Sequence, residues 1–310
     1  MTQEPLTIEV DCHLKDEVVG KGLFWLKYDC RLSKELIPLE LEWTPIIGQL
    51  RHVSVGPAGV WGVQTNGNVF YRNFTRGNDG SQGVGEWVLV MQPGKQPLVQ
   101  PLRNIDVGTF TVWGVNSDGT VFIRVGIDAY NPIGCDWVEV PRKMKQVSIS
   151  PKGHVWATDG INCVYRRVGV TIDNNMGTAW EKINGSLQQI TVGSAGVWGV
   201  NGLGEVFYRE GTYNDPDNAG TSWTLLPEKR FVEVSSGEGK LWGTDENEDV
   251  FYRAGLSFTT PTGLKWVKLD GRMRQIDVWF GSAWGTGNIT VPNIFGRLTS
   301  EQLDTNVNRI

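Results

Sequence analysis

The sequence is poor in the residues that catalysis and metal binding draw on. Only three histidines occur in 310 residues, His13, His52 and His154, and they share no metal-ligand spacing. Four cysteines, Cys12, Cys30, Cys135 and Cys163, are too sparse for a disulfide scaffold and form no C-x-x-C pair, so reduced, partly buried thiols are expected. No G-x-S-x-G or P-loop string is present, and "GEGKLWG" (237 to 243) lacks the glycine spacing and strand-helix context of a phosphate loop. The acidic "DENED" (245 to 249) lacks the ordered alternation and turn glycine of a calcium loop. Neither a metal nor a cofactor is expected, and the chain is not expected to be an enzyme.

Long apolar runs are absent as well: none approaches the roughly 20 residues of a membrane-spanning helix, so a soluble chain without membrane insertion is expected. The start, "MTQEPLTIEVDCHLKDEVV", has no basic segment followed by an apolar one, which points to a cytoplasmic or unconventionally secreted chain; the alternative is a secreted chain whose leader is removed. Sequons at Asn73, Asn184 and Asn288 matter only in that second case. With 29 basic against 34 acidic side chains the net charge is −5, and no stretch of the sequence forms a basic stripe. Nucleic acid is therefore not an expected partner.

What the chain has in excess is tryptophan, 14 residues, and glycine, 39. Aligned on "VWG", Trp61, Trp113, Trp156, Trp198, Trp242 and Trp284 recur at spacings of 52, 43, 42, 44 and 42 residues. A second series, Trp43, Trp87, Trp137, Trp180, Trp223 and Trp266, precedes the first by 18 or 19 residues except in the second unit, which "MQPGKQPLVQPLRN" lengthens. Each unit reads as four short strands, for example "WEKI", "LQQITVG", "GVWGVN" and "VFYR", with no helical periodicity. Six such units predict an all-β, six-bladed propeller of four-stranded antiparallel blades over residues 40–310. The last unit lacks a Trp-led strand after "NIFGRL", while "LEWTPI" (41 to 46) has one to spare, so the N-terminal strand is expected to close the ring. Residues 1–39 are expected to add β segments packed on the ring, where Cys12 and Cys30 are able to meet.

These units resemble the tectonin repeat family, which includes fish-egg and horseshoe-crab lectins. "LRHVSVGPAGVWGVQTNGNVFYR" (50 to 72), "ITVGSAGVWGVNGLGEVFYREG" and "RVGIDAYNPIGCDW" (124 to 137) carry the resemblance, which spans roughly residues 41 to 298. It implies a multivalent, non-catalytic glycan-binding propeller, with lipopolysaccharide, GlcNAc-containing or methylated sugars as ligands and a role in defence or agglutination. The third, fifth and sixth units depart from the pattern with "VWATDG", "LWGTDENED" and "NIFGRL".

In five units an Arg follows the VWG tryptophan by eleven residues: Trp61 and Arg72, Trp113 and Arg124, Trp156 and Arg167, Trp198 and Arg209, Trp242 and Arg253. Two-residue turns at Asn66-Gly67 and Asp118-Gly119 would set each pair directly opposite on a hairpin, guanidinium on indole. The next tryptophan, Trp87, Trp137, Trp180, Trp223 or Trp266, begins 13 to 15 residues after that Arg, at the same end of the blade. These fifteen residues form the expected carbohydrate-binding set, since sugars present C–H faces and hydroxyls together. The structural alternative is that Trp fills the wedge between blades and Arg covers it with its stem. Gln64, Asn116 and Asn201 are expected to support turns, and Tyr71, Tyr208 and Tyr252 to face away from the Arg of their strand. Two other functions compete: a protein-interaction scaffold, and a six-bladed glycoside hydrolase of sialidase type. The second is disfavoured because "NPIGCDW", "NNMGTAW", "NAGTSW" and "PTGLKW" lack the Ser and Asp of its blade motif, and no carboxylate pair is singled out.

Overall fold

The computed structural model describes residues 11–15, 27–31, 43–77, 85–92, 101–287 and 294–298. Asn288, segment 93–100, the middle of the 73–86 loop and the side chain of Arg297 lie outside the described residues. No helix occurs among the described residues, so none is long and apolar enough to cross a membrane.

Met1–Leu41 form one compact unit and Glu42–Ile310 another. In the first, Asp11–Lys15 pairs antiparallel with Lys27–Arg31, with the backbone of Cys12 opposite that of Cys30.

The second unit is a ring of six four-stranded antiparallel sheets. From the channel outward, blade 1 is His52–Gly56, Gly59–Val63, Val69–Arg72 and Trp87–Leu89. Blade 2 is Leu102–Val107, Val112–Asn116, Val121–Val125 and Asp136–Val140. Blade 3 is Gln146–Ile149, Val155–Thr158, Cys163–Val168 and Ala179–Ser186. Blade 4 is Gln189–Gly193, Gly196–Val200, Glu205–Arg209 and Trp223–Arg230. Blade 5 is Glu233–Ser236, Leu241–Thr244, Asp249–Ala254 and Lys265–Arg272. Blade 6 takes Gln275–Trp279, Ser282–Thr286 and Ile294–Leu298 from the C-terminal part and Thr44–Ile46 from before blade 1. The expected closure is thus present: Ile46 pairs with Ile294 and Thr44 with Gly296. The Trp-led strand is the outermost strand of the blade it completes.

Second-strand tryptophans fill the wedge between each blade and the next. Trp61 packs on Leu102, Ile105 and Val107 of blade 2, and Trp284 packs on Val53, Val55 and Val60 of blade 1. Trp61, Trp113 and Trp198 are 0% exposed. Adjacent sheets diverge outward, and an indole is the largest apolar body available to fill the gap.

A polar belt joins the inner strands. Gln275 clasps Val53 of the next blade through both backbone groups, Nε2 to the carbonyl and Oε1 to the N–H, each at 2.9 Å. Gln146 does the same to Ile190 at 2.9 and 2.8 Å, and Gln189 to Val234 at 2.8 and 3.3 Å. The imidazole Nε2 of His52 lies 2.8 Å from the Ile105 carbonyl. A second layer repeats the device with shorter side chains: Asp277 accepts from Val55 N–H, Asp106 from Ile149 N–H, and Thr191 from Ser236 N–H. Buried ladder edges thereby find partners in the neighbouring blade.

Candidate functional site

The hairpins joining second and third strands decide which side chains meet. In blade 1, Gln64 N–H bonds the Asn68 carbonyl and Gly67 N–H the Gln64 carbonyl, both at 2.9 Å, with Gly67 at φ +83°. This is a three-residue loop, a turn followed by a left-handed residue, and not the two-residue turn expected from Asn66-Gly67. The extra residue shifts the register by one and sends every side chain to the other face. Trp61 therefore opposes Tyr71, Trp113 opposes Ile123, Trp156 opposes Arg166, Trp198 opposes Tyr208 and Trp242 opposes Tyr252. The expected pairing of Trp61 with Arg72, and of its four counterparts, is corrected accordingly. Tyr71, Tyr208 and Tyr252 do face away from the Arg of their strand, and pack on these indoles with centroids 5.4, 4.7 and 6.4 Å apart.

Each Arg instead opposes the tryptophan that opens the outer strand: Arg72 with Trp87, Arg124 with Trp137, Arg167 with Trp180, Arg209 with Trp223 and Arg253 with Trp266. Opposed residues share a face, so the guanidinium carbons sit 5.6, 5.6, 5.1, 5.3 and 5.4 Å from the indole centroids. Four of these guanidiniums, those of Arg124, Arg167, Arg209 and Arg253, also hold the intervening loop. Arg209 donates from Nε to the Ala219 carbonyl at 2.7 Å and from Nη2 to Gly220 at 3.2 Å. Arg124 binds Ile133 and Gly134, Arg167 binds Met176 and Gly177, and Arg253 binds Thr262 in the same way. Gly220 has φ +64°, and a Cβ there would lie 2.7 Å from Arg209 Cγ. The glycine shared by "NPIGCDW", "NNMGTAW", "NAGTSW" and "PTGLKW" is thus the seat of the Arg stem. Burial lowers Arg124 to about 10 and also pulls Arg72, Arg167 and Arg209 below the usual guanidinium value.

Exposure separates the fifteen expected residues. Trp61, Trp113, Trp156, Trp198 and Trp242 are buried, and so are Arg124, Arg167, Arg209 and Arg253, with Trp137 beside them. Sealed side chains offer no face to a ligand. Trp87, Trp180, Trp223 and Trp266 are half-buried. Trp87, Trp180 and Trp223 each donate from Nε1 to a carbonyl of the preceding blade, Ile47, Pro141 and Asn184, at 3.1, 3.0 and 2.6 Å. Trp43 bonds Asp270 likewise at 2.7 Å. At blades 2 and 5 no such acceptor is found among the described residues: Trp137 Nε1 and Arg124 Nη1, and Trp266 Nε1 and Arg253 Nη1, are buried donors without one there.

The loops held by these Arg residues carry exposed apolar side chains that sequence reasoning missed. Phe74, Tyr130, Ile172 and Phe258, two to six residues beyond their Arg, are 73, 98, 73 and 79% exposed. The available signal was one large apolar residue at the head of each polar loop. Asn116 and Asn201 support their turns as expected, accepting from Thr120 N–H and from Leu203 and Glu205 N–H.

The channel axis holds a cavity of only about 40 Å³, lined by the belt residues, which leaves no room for a sugar ring. Its carboxylates, Asp106, Glu233 and Asp277, accept backbone N–H bonds from neighbouring blades. Among the described residues no three His, Cys, Asp or Glu side chains gather to hold a metal.

A closed ring of six blades, with one Arg–Trp pair repeated in five of them, defines a repeat-built β-propeller. The tectonin domain model matches residues 21–134 and 96–288, and the chain belongs to the tectonin family. A fish-egg lectin of Cyprinus carpio is 34% identical over 110 residues, 34% of this chain and 42% of the relative. The perivitellin-2 31 kDa subunit of Pomacea maculata is 40% identical over 84 residues, 27% of this chain and 26% of that protein. The matched segments thus span less than half of either relative. Among solved structures, human WBSCR16 superposes with TM-score 0.51 at 11% identity, covering 83% of this chain and 89% of that one. A chain of a nidogen–laminin complex gives 0.50 at 12% identity, covering 74% and 84%. At those identities the likeness is one of fold.

Proposed function

We propose that the protein is a multivalent lectin whose sugar-contacting surface is the rim formed by the Arg-clamped loops. The observation that carries this reading is the fivefold repetition of one clamp, with Arg-to-Trp separations of 5.1 to 5.6 Å, under loops that differ from blade to blade. A constant scaffold under variable loops is how binding surfaces are built. The name of the carp relative, a fish-egg lectin, points the same way. In this reading the partly exposed indoles Trp87, Trp180, Trp223 and Trp266, with Phe74, Tyr130 and Phe258, take the C–H faces of sugars. The buried Arg124, Arg167, Arg209 and Arg253 act by holding the loops.

Single sites of this kind are weak, and several on one rigid ring raise the apparent affinity for a dense glycan surface on the order of 10² to 10⁴ fold. Lipopolysaccharide, GlcNAc-containing and methylated glycans, and agglutination of foreign cells, are the proposed targets and use. A glycan array tests this. Binding to a defined glycan class, competed poorly by its free monosaccharide, is expected. An empty array with sugar-independent capture of one protein would instead establish the scaffold role.

A further inference from the structure

Immediately before the channel-lining residue, four of the six blades carry a cation: Arg51 before His52, Arg103 before Asn104, Lys145 before Gln146 and Arg274 before Gln275. All four stand where the chain returns from an outer strand to the next inner strand, on the face of the three-residue hairpins and opposite the Arg-clamped loops. On this face lies a cavity of about 710 Å³ whose wall includes Arg103, Lys145, Arg230, Gln188, Asn201 and Glu246.

The charges around it are unbalanced. Arg103 and Arg230 are exposed and form no ion pair among the described residues, and Lys145 Nζ reaches only a neutral oxygen, that of Asn162 at 3.3 Å. Lys145 is pulled below the usual ammonium value, first by burial and then by repulsion from Arg103. The other ionic groups of the wall are already satisfied or neutral. Lys229 is paired with Asp245 at 2.9 Å, and burial raises Glu233 to about 8, leaving it largely protonated at neutral pH. Of the wall carboxylates only Glu246 remains to face three cations. On the adjoining rim Arg274 is bound to Glu248 at 2.8 Å. A protein of net charge −5 thus gathers one cationic mouth from blades 2, 3 and 4.

We propose that this mouth is a second binding site, distinct from the looped rim, for the phosphate groups of an anionic glycan. The proposal rests on the lectin reading for the glycan and on the cation geometry for the phosphate. Guanidiniums present paired N–H donors that match two phosphate oxygens, and an anion seated between Arg103 and Lys145 relieves their mutual repulsion. Gln188 and Asn201 at the wall supply amides for adjacent hydroxyls. The cations come one per blade from three consecutive blades, so the site exists only once those blades have packed side by side.

The test compares an immobilised phosphomannan with its phosphatase-treated form, at low and high salt, against the full chain and the Arg103→Ser/Lys145→Ser/Arg230→Ser variant. The wild type is expected to hold the phosphorylated form at least about tenfold more tightly in low salt, with the increment shrinking as salt screens it. The triple variant should lose the increment, keep its thermal midpoint and keep binding to the neutral form. An increment that persists in the variant, or equal binding of both forms by the wild type, overturns the site while leaving the lectin reading intact. Capture of inorganic polyphosphate by the wild type and not by the variant, with both glycans ignored, supports the site and excludes mannans as the ligand of the looped rim. Capture of none of the three overturns the site, and the glycan array decides the lectin reading separately.

Discussion

Glu233 accepts a 2.6 Å hydrogen bond from the backbone N–H of Ile276 across the seam between blades 5 and 6. At the same ring position Gln146, Gln189 and Gln275 each offer the next blade both an acceptor and a donor. A carboxylate offers only acceptors, so Glu233 matches its neighbours only when protonated. Burial, with repulsion from Asp277, raises it to about 8, and burial followed by repulsion from Asp106 raises Asp277 to about 7.

The consequence is a stability that declines with alkalinity. Both folded values lie above the roughly 4 of an unfolded carboxyl, so the folded ring binds more protons and loses stability as pH rises through them. His52, lowered to about 4 mainly by burial, works the other way, but only below the unfolded imidazole value of about 6.5. Between about pH 6.5 and 8.5 the carboxyls act alone, and the thermal midpoint should fall by several degrees. Glu233→Gln should flatten that fall and raise the midpoint at pH 8. A slope unchanged by the substitution would refute the assignment.

The two tryptophan series should respond differently to truncation. Trp198→Ala empties a fully buried wedge and should cost about 3 to 5 kcal/mol in denaturant unfolding. Trp223→Ala removes a half-buried indole and one bond to Asn184, so a smaller loss, about 1 to 3 kcal/mol, with reduced glycan binding is expected. Equal destabilisation by both would contradict the burial order.

Arg209→Ala should release the loop between Arg209 and Trp223 without opening the ring. Two carbonyls, Ala219 and Gly220, lose their donor, which costs about 1 to 3 kcal/mol. Hydrogen exchange should accelerate in residues 210–222 and calorimetric glycan stoichiometry should drop. Lys at 209 should not restore either, because an ammonium lacks the planar fork. Unchanged stoichiometry would remove blade 4 from the lectin surface.

Trp43 secures the closing strand by its bond to Asp270 and by an edge-on contact with Trp242 at 6.4 Å. Trp43→Ala should therefore favour proteolytic nicking within blade 6 over nicking in blades 2 to 4. Mass spectrometry of the first cleavage products decides the matter.

Ring, blade count and closing strand were legible because each rests on a pattern that tertiary context reinforces: Trp61, Trp113 and their equivalents recur in register, and "LEWTPI" is a spare strand. The clamp was half legible. The spacing places Arg72 and Trp87 at one end of the blade, but it pairs Arg72 with Trp61 because Asn66-Gly67 reads as a two-residue turn. Counting along the chain does not show that Gly67, at φ +83°, is the third loop residue. In blades 3 and 5 that left-handed place falls to Asn162 and Glu248, which carry no glycine to mark it. The cationic mouth was illegible for another reason: Arg103, Lys145 and Arg230 are scattered through the sequence and reach one cavity only when blades 2, 3 and 4 pack together.

That closure has one further effect. In an open stack of repeats the end units fray first, since each has a single neighbour. Here Gln275 ties blade 6 to Val53 of blade 1, so the array has no end, and unzipping must begin by breaking two junctions at once. Melting should accordingly be all-or-none, sparing cells a population of half-undone rings with naked sheet edges.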